Sequence, residues 1–178
     1  MHVTREYDGA VLRVAAPAKV NLTLHVLARE ISGYHQLETL FCALELADTL
    51  EIRPGEPGIR LEVEGAELGP VEDNLVHRAA RVFYTATGIE PGVSIRLRKE
   101  VPSGAGLGGG SSDAAATLHA LNVIHDRPLD PAALLNLASG LGSDVPFFLC
   151  GSPLALAWGR GERLMPLVPL PSAPVLVV

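Results

Sequence analysis

Apolar and polar positions alternate with period two over several stretches, and each such stretch predicts a strand. Val93, Ile95 and Leu97 alternate with Ser94, Arg96 and Arg98, and Ile59-Arg60-Leu61-Glu62-Val63-Glu64 is equally regular. Val11 to Ala15 and Lys19 to Leu27 read as two strands broken at Pro17. In the second, Lys19, Asn21, Thr23 and His25 share one face and Val20, Leu22, Leu24 and Val26 the other. After a turn at Gly33-Tyr34-His35, Leu37 to Leu44 and Leu46 to Arg53 continue the strand pattern, and Pro54, Gly55, Pro57 and Gly58 mark the next turn. Leu154 to Trp158, Arg163 to Leu167 and Val175 to Val178 read as strands too.

The period changes to that of a helix in three places. Asp73-Asn74-Leu75 opens a helix that runs to Thr87 and stops at Gly88, with Leu75, Ala79, Val82 and Phe83 facing inward. Ala114, Leu118, Leu121 and Ile124 keep helical spacing behind Ser111 or Ser112 as N-cap candidates. Asp130-Pro131 starts a third helix over Ala132 to Ser139, closed by Gly140.

Composition narrows the picture. With 178 residues, 48% of them hydrophobic, the chain has the length of one domain and enough apolar mass for a real core. A net charge of −6, with no basic run beyond Arg96 to Lys99, gives no support for a nucleic-acid partner. The first eight residues lack a signal-peptide apolar region and no stretch has the apolar length of a membrane span, so neither secretion nor insertion is expected and the location predicted is the cytoplasm. Cys42 and Cys150, far apart in apolar runs, read as reduced core thiols. Of 14 basic residues only Lys19 and Lys99 are lysines, which marks both as places where a compact ammonium is wanted.

The candidate chemistry starts at Pro102-Ser103-Gly104-Ala105-Gly106-Leu107-Gly108-Gly109-Gly110-Ser111-Ser112-Asp113, set between a strand and a helix. Glycines let backbone N–H groups turn inward, and the helix start adds free donors and a positive dipole end, so the loop is suited to phosphate. It is not a P-loop, because no lysine follows its last glycine. Gly104, Gly106 and Gly109 match GxGxxG, yet the preceding strand looks antiparallel with one wet face, unlike a dinucleotide fold. Asp144 lies in the apolar run Leu141 to Leu149, where a carboxylate is either exposed on a turn, capping a short helix, or buried with a partner such as a lysine.

Three blocks, Ala16-Pro17-Ala18-Lys19-Val20-Asn21-Leu22, the glycine loop, and Gly142-Ser143-Asp144-Val145-Pro146-Phe147, resemble the GHMP kinase superfamily in the right order. Within it, Gly33-Tyr34-His35-Gln36-Leu37-Glu38-Thr39-Leu40 looks like the signature of members that act on a cytidine diphosphate alcohol. The resemblance implies an α+β fold, a ribosomal protein S5 domain 2-like N-terminal domain over residues 1–160, with residues 161–178 starting the connection to a C-terminal domain. It implies ATP as co-substrate, with Mg2+, and phosphorylation of the 2-hydroxyl of 4-diphosphocytidyl-2-C-methyl-D-erythritol in the non-mevalonate isoprenoid route. Carried over by position, it implies Lys19 and Asp144 as the catalytic pair, Asn21 as a substrate-binding residue, and Tyr34 and His35 as the cytosine site. The ATP site it implies comprises Asn74, Lys99, Pro102, Gly104, Gly106, Leu107, Gly108, Gly109, Gly110, Ser111 and Ser112; Asp113 has no role assigned and no metal ligand is named. Nothing in the sequence matches the family's second glycine-rich segment, so the chain reads first as a fragment of a longer kinase. The competing readings are another GHMP small-molecule kinase and a non-catalytic nucleotide-binding module.

Overall fold

A computed structural model describes residues 6–7, 11–29, 35–66 and 69–176. Along the chain come β1 (Glu6–Tyr7), β2 (Leu12–Arg29), β3 (His35–Pro54), β4 (Gly58–Glu64), α1 (Leu75–Thr87), β5 (Gly92–Arg98), α2 (Gly109–Ile124), α3 (Pro131–Leu141), β6 (Leu154–Gly159) and β7 (Arg163–Pro166). Short 3-10 segments cover Val71–Asp73 and Val145–Leu149.

One mixed sheet carries the fold, with strand order β1-β2-β3-β5-β4, β6 added beside β3 and β7 beside β6. The 20-residue β3 makes this possible. Its one edge pairs antiparallel with β2, while the other is shared between β6, along Leu37 to Cys42, and β5, along Thr49 to Pro54. The antiparallel expectation for β5 holds against β3, but β5 is parallel to β4, and α1 is the crossover between them. Pro17 does not break β2: it pairs with Ala47, and a register shift between Pro17 and Lys19 absorbs the residue that has no N–H to donate.

α1 and α2 cover one face of the sheet, and α3 packs against them. β2 contributes Leu12, Val14 and Ala16 to the core, β3 Leu50 and Ile52, and β5 Val93, Ile95 and Leu97. From α1 come Val76, Ala79, Ala80, Phe83 and Tyr84, while Leu75 and Val82 from the predicted stripe lie half-buried at its margin. α2 is buried almost all round, with Ala114, Ala115, Ala116 and Ala120 letting neighbours approach its backbone closely. The opposite face of the sheet is wet and carries ion pairs, Arg13–Glu51 at 2.8 Å and Arg96–Glu62 at 3.4 Å.

Several expectations need correction. Both cysteines are free thiols and only half-buried rather than core residues. α3 continues through Gly140 to Leu141, and no strand forms at 175–176, the described part of the predicted last strand. Among the described residues no helix is long and apolar enough to cross a membrane.

Candidate active site

The glycine loop and the first turn of α2 form the wall of a cleft of about 380 Å³. Asn74, Leu75, Lys99, Pro102 to Ser111 and Asp113 line it. All the predicted nucleotide residues are thus gathered in one place except Ser112, which is 1% exposed and lies outside the lining. Asn74 opens α1, its side chain accepting from the Val76 N–H at 2.9 Å, and Leu107 is half anchor and half wall, packed with Ala18 and Val101 and accepting the Lys19 N–H at 2.8 Å.

Neither serine caps α2. Gly108 is the N-cap, at φ 70°, and no side chain bonds the first turn. The left-handed conformation is cheap only for glycine, and it starts the helix three or four residues earlier than a cap at Ser111 or Ser112 would. The first-turn N–H groups of Gly109, Gly110 and Ser111 are therefore left for a ligand in the cleft. A Cβ on Gly108 would sit 3.0 Å from Lys19 Cγ and 3.3 Å from Phe148 Cζ, so the absence of a side chain here also makes room for Lys19.

Lys19 and Asp144 come together from β2 and from the N-terminal end of the 3-10 segment Val145–Leu149. Lys19 Nζ lies 3.4 Å from Asp144 Oδ2, with side-chain exposures of 7% and 32%. The ammonium also donates to Asn21 Oδ1 at 2.8 Å and stands 5.2 Å over the Phe41 ring, which packs on Phe147. Of the two readings left open for Asp144, neither holds in full: it stands at the N-cap position of a short helix without bonding it, and its carboxylate meets a lysine while only half-buried. Tyr34 lies outside the described residues, as does the side chain of His35, whose backbone opens β3 opposite Arg29.

Lys99 forms a different centre on the other side of the loop. Its ammonium bonds Asp48 Oδ2 and, at 2.8 Å, Asp113 Oδ2, and all three side chains are at least 96% buried. Asp48 Oδ1 accepts the N–H groups of Glu100 and Val101 at 2.6 and 2.8 Å, which fixes the segment leading into the glycine loop. Asp113 is less well served, since its buried Oδ1 has no partner among the described residues. Burial outweighs the Lys99 ammonium and pushes the Asp113 carboxyl up to about 7. For Lys99, burial acts the other way, and the two carboxylates more than offset it and hold its ammonium above the usual lysine range. Asp48 escaped the sequence reading. The signal was there, a carboxylate inside Leu46-Ala47-Asp48-Thr49-Leu50, the same anomaly that singled out Asp144.

Residues 74–152 match the family profile described as the GHMP kinases N terminal domain. The chain is 51% identical over 169 residues to the 4-diphosphocytidyl-2-C-methyl-D-erythritol kinase of Pelotomaculum thermopropionicum, covering 94% of this chain and 58% of that protein. It is also 51% identical over 157 residues to the enzyme of the same name from Deinococcus radiodurans, covering 88% and 52%. Among solved structures, a 4-(cytidine 5'-diphospho)-2C-methyl-D-erythritol kinase matches with TM-score 0.75 and 48% identity over 87% of this chain and 55% of that one. A homoserine kinase from Cytophaga hutchinsonii, at 23% identity and TM-score 0.68 over 93% and 54%, shares the fold. The chain spans about half the length of the curated relatives it matches.

Proposed function

We propose that this chain, whose residues 74–152 match the GHMP kinases N terminal domain, is part of a GHMP kinase and takes part in ATP-dependent phosphorylation of the 2-hydroxyl of 4-diphosphocytidyl-2-C-methyl-D-erythritol. The observation that carries this reading is the approach of Lys19 to Asp144, 3.4 Å apart, beside the glycine that starts α2. An alcohol attacking a terminal phosphoryl group must lose its proton, and a carboxylate beside an ammonium can accept it. Asp144 has that partner and enough exposure to reach a substrate hydroxyl. Lys19 supports the negative charge that develops on the transferring group, and Phe41, Phe147 and Phe148 keep water from its other side. Asn21 uses one amide hydrogen on Thr39 and its oxygen on Lys19, leaving one N–H for the substrate.

In the same reading the nucleotide phosphates lie on the first-turn N–H groups of α2 and along the loop from Pro102 to Gly110, with Asn74 also lining the cleft. Ser111 lines that cleft, whereas Ser112 acts from behind the wall. Lys99 supports the site from beneath, through Asp48 and Asp113, rather than as an ammonium free to meet phosphate. Mg2+ would neutralise phosphate charge when bound. The described residues hold no cluster of three or more His, Cys, Asp or Glu side chains that could bind a metal. Residues 1–160 are taken as the nucleotide-binding domain and 161–178 as the start of a connection, and Tyr34 and His35 as the cytosine contacts.

ADP release from ATP, measured with 4-diphosphocytidyl-2-C-methyl-D-erythritol, mevalonate and homoserine in turn, tests the substrate, and turnover of either of the last two alone would overturn it. Lys19→Ala and Asp144→Asn should each lower kcat by at least about 100-fold and leave ATP affinity by calorimetry within a few-fold of the parent. Unchanged turnover in both would remove them from the chemistry.

A further inference from the structure

Thr39 is fully buried on β3, and its hydroxyl is committed in both directions. It donates to the Thr23 carbonyl at 2.6 Å. With its one proton spent there, it can meet Asn21 only as an acceptor, so the Asn21 atom 2.7 Å away must be the amide nitrogen Nδ2. That decides which way round the amide stands. Oδ1 is turned to Lys19 Nζ, a group that can only donate, at 2.8 Å. Lys19, Asn21, Thr39 and the Thr23 carbonyl therefore form one chain of bonds in which each donor meets an acceptor. The Thr23 carbonyl can end this chain because β2 shifts register against β3 between Asn21 and Thr23, a bulge that frees backbone groups from the ladder.

We propose that Thr39 is a positioning residue for the Lys19–Asp144 pair: its hydroxyl locks the Asn21 amide so that the amide oxygen and the Asp144 carboxylate together aim the Lys19 ammonium. Without the hydroxyl the amide can turn over and set NH2 against ammonium, donor against donor. The effect on turnover rests on the phosphoryl-transfer reading above, whereas the bonding chain itself does not.

The chain has two lysines, so lysine labelled with 15N at Nζ gives two side-chain ammonium signals, which Lys19→Arg assigns. Thr39→Val keeps the shape and loses the hydroxyl; Thr39→Ser keeps the hydroxyl and loses the methyl. Thr39→Val is expected to speed exchange of the Lys19 ammonium protons by roughly tenfold and leave the Lys99 signal in place, while Thr39→Ser behaves as the parent. In an Asn21→Ala background Thr39→Val should add no further change. The opposite order, Val silent and Ser disruptive, would show that Thr39 only fills space, and a full additional effect on top of Asn21→Ala would show that it does not act through the amide. Should Thr39→Val fail to fold, the parent chain decides: Asn21 side-chain amide protons must cross-relax more strongly with the Thr39 methyl than with the Lys19 ε-protons, and the reverse overturns the proposal. Where a preparation turns over, Thr39→Val lowers kcat about tenfold with KM kept. A chain that transfers no phosphoryl group leaves the ammonium and amide signals unaffected, and that result counts against the proposed reaction alone.

Discussion

Asp48 accepts two backbone N–H groups and one ammonium, all out of water. Asp48→Ala strips Lys99 of one carboxylate and orphans the Glu100 and Val101 donors, and is expected to cost about 3 kcal/mol or more in a urea titration; a loss under about 1 kcal/mol would mean the cluster is not the anchor it looks. Asp113 makes a prediction in pH. Its carboxyl is raised from 3.8 to about 7 in the folded chain, so between those values the folded state keeps a proton that the unfolded state has released. Raising the pH through that window draws the proton off and lowers stability, the reverse of an ordinary salt-bridged carboxylate. The charges that bear most on Asp113 are Lys99 and Asp48. The stability difference between the parent and Asp113→Asn should thus fall from about pH 4 to about pH 7 and level off above. A difference that is flat across this range would show that the group titrates normally.

At the scale of elements, α2 and its leading glycine act as one device. Gly108 is held at φ 70°, and an added methyl would press on Lys19 Cγ and Cε at 3.0 and 3.1 Å. Gly108→Ala is expected to cost about 1 to 2 kcal/mol from backbone strain alone. It should also weaken ATP binding and phosphoryl transfer together, because it displaces both the helix start and the ammonium. Calorimetry with ATP checks this, and unaltered affinity would detach the helix start from the nucleotide. The loop was legible in the sequence because glycine clustering is local chemistry. Its cap was not, since Ser111 and Ser112 are as plausible locally as Gly108 until the backbone torsion is known. Asn74, Asp130 and Gly88 were read correctly as helix signals for the opposite reason: their capping bonds and torsions involve residues within four positions.

Over the whole molecule, β2 from Leu22 to Ala28 is exposed on both faces, so Leu22, Leu24, Val26 and Leu27 stand in water at 45 to 63% exposure. Such an apolar ribbon on a sheet otherwise edged with charge favours self-association at high concentration. Light scattering of the chain should rise with concentration and fall when Leu24→Lys and Val26→Lys are introduced together; scattering indifferent to both would show that the ribbon is not sticky. The alternation over Lys19 to Leu27 divided the strand into a polar face and an apolar one. Two register shifts in this half of β2, and exposure of every residue from Leu22 to Ala28 among the described residues, undo that division.

Strand and helix periods, the turn glycines, the phosphate-suited loop and the kinship of its motifs were all determined by the sequence, because each depends on residues a few positions apart. The meeting of Lys19 with Asp144, the union of Asp48, Lys99 and Asp113, and the placement of Thr39 beneath Asn21 were decided only by the tertiary structure. Those contacts join residues from 14 to 125 positions apart across β2, β3, α2 and the 3-10 segment. Burial, which shifts the Asp113 carboxyl and commits the Thr39 hydroxyl, is a property of the packed molecule and has no local signature in the chain.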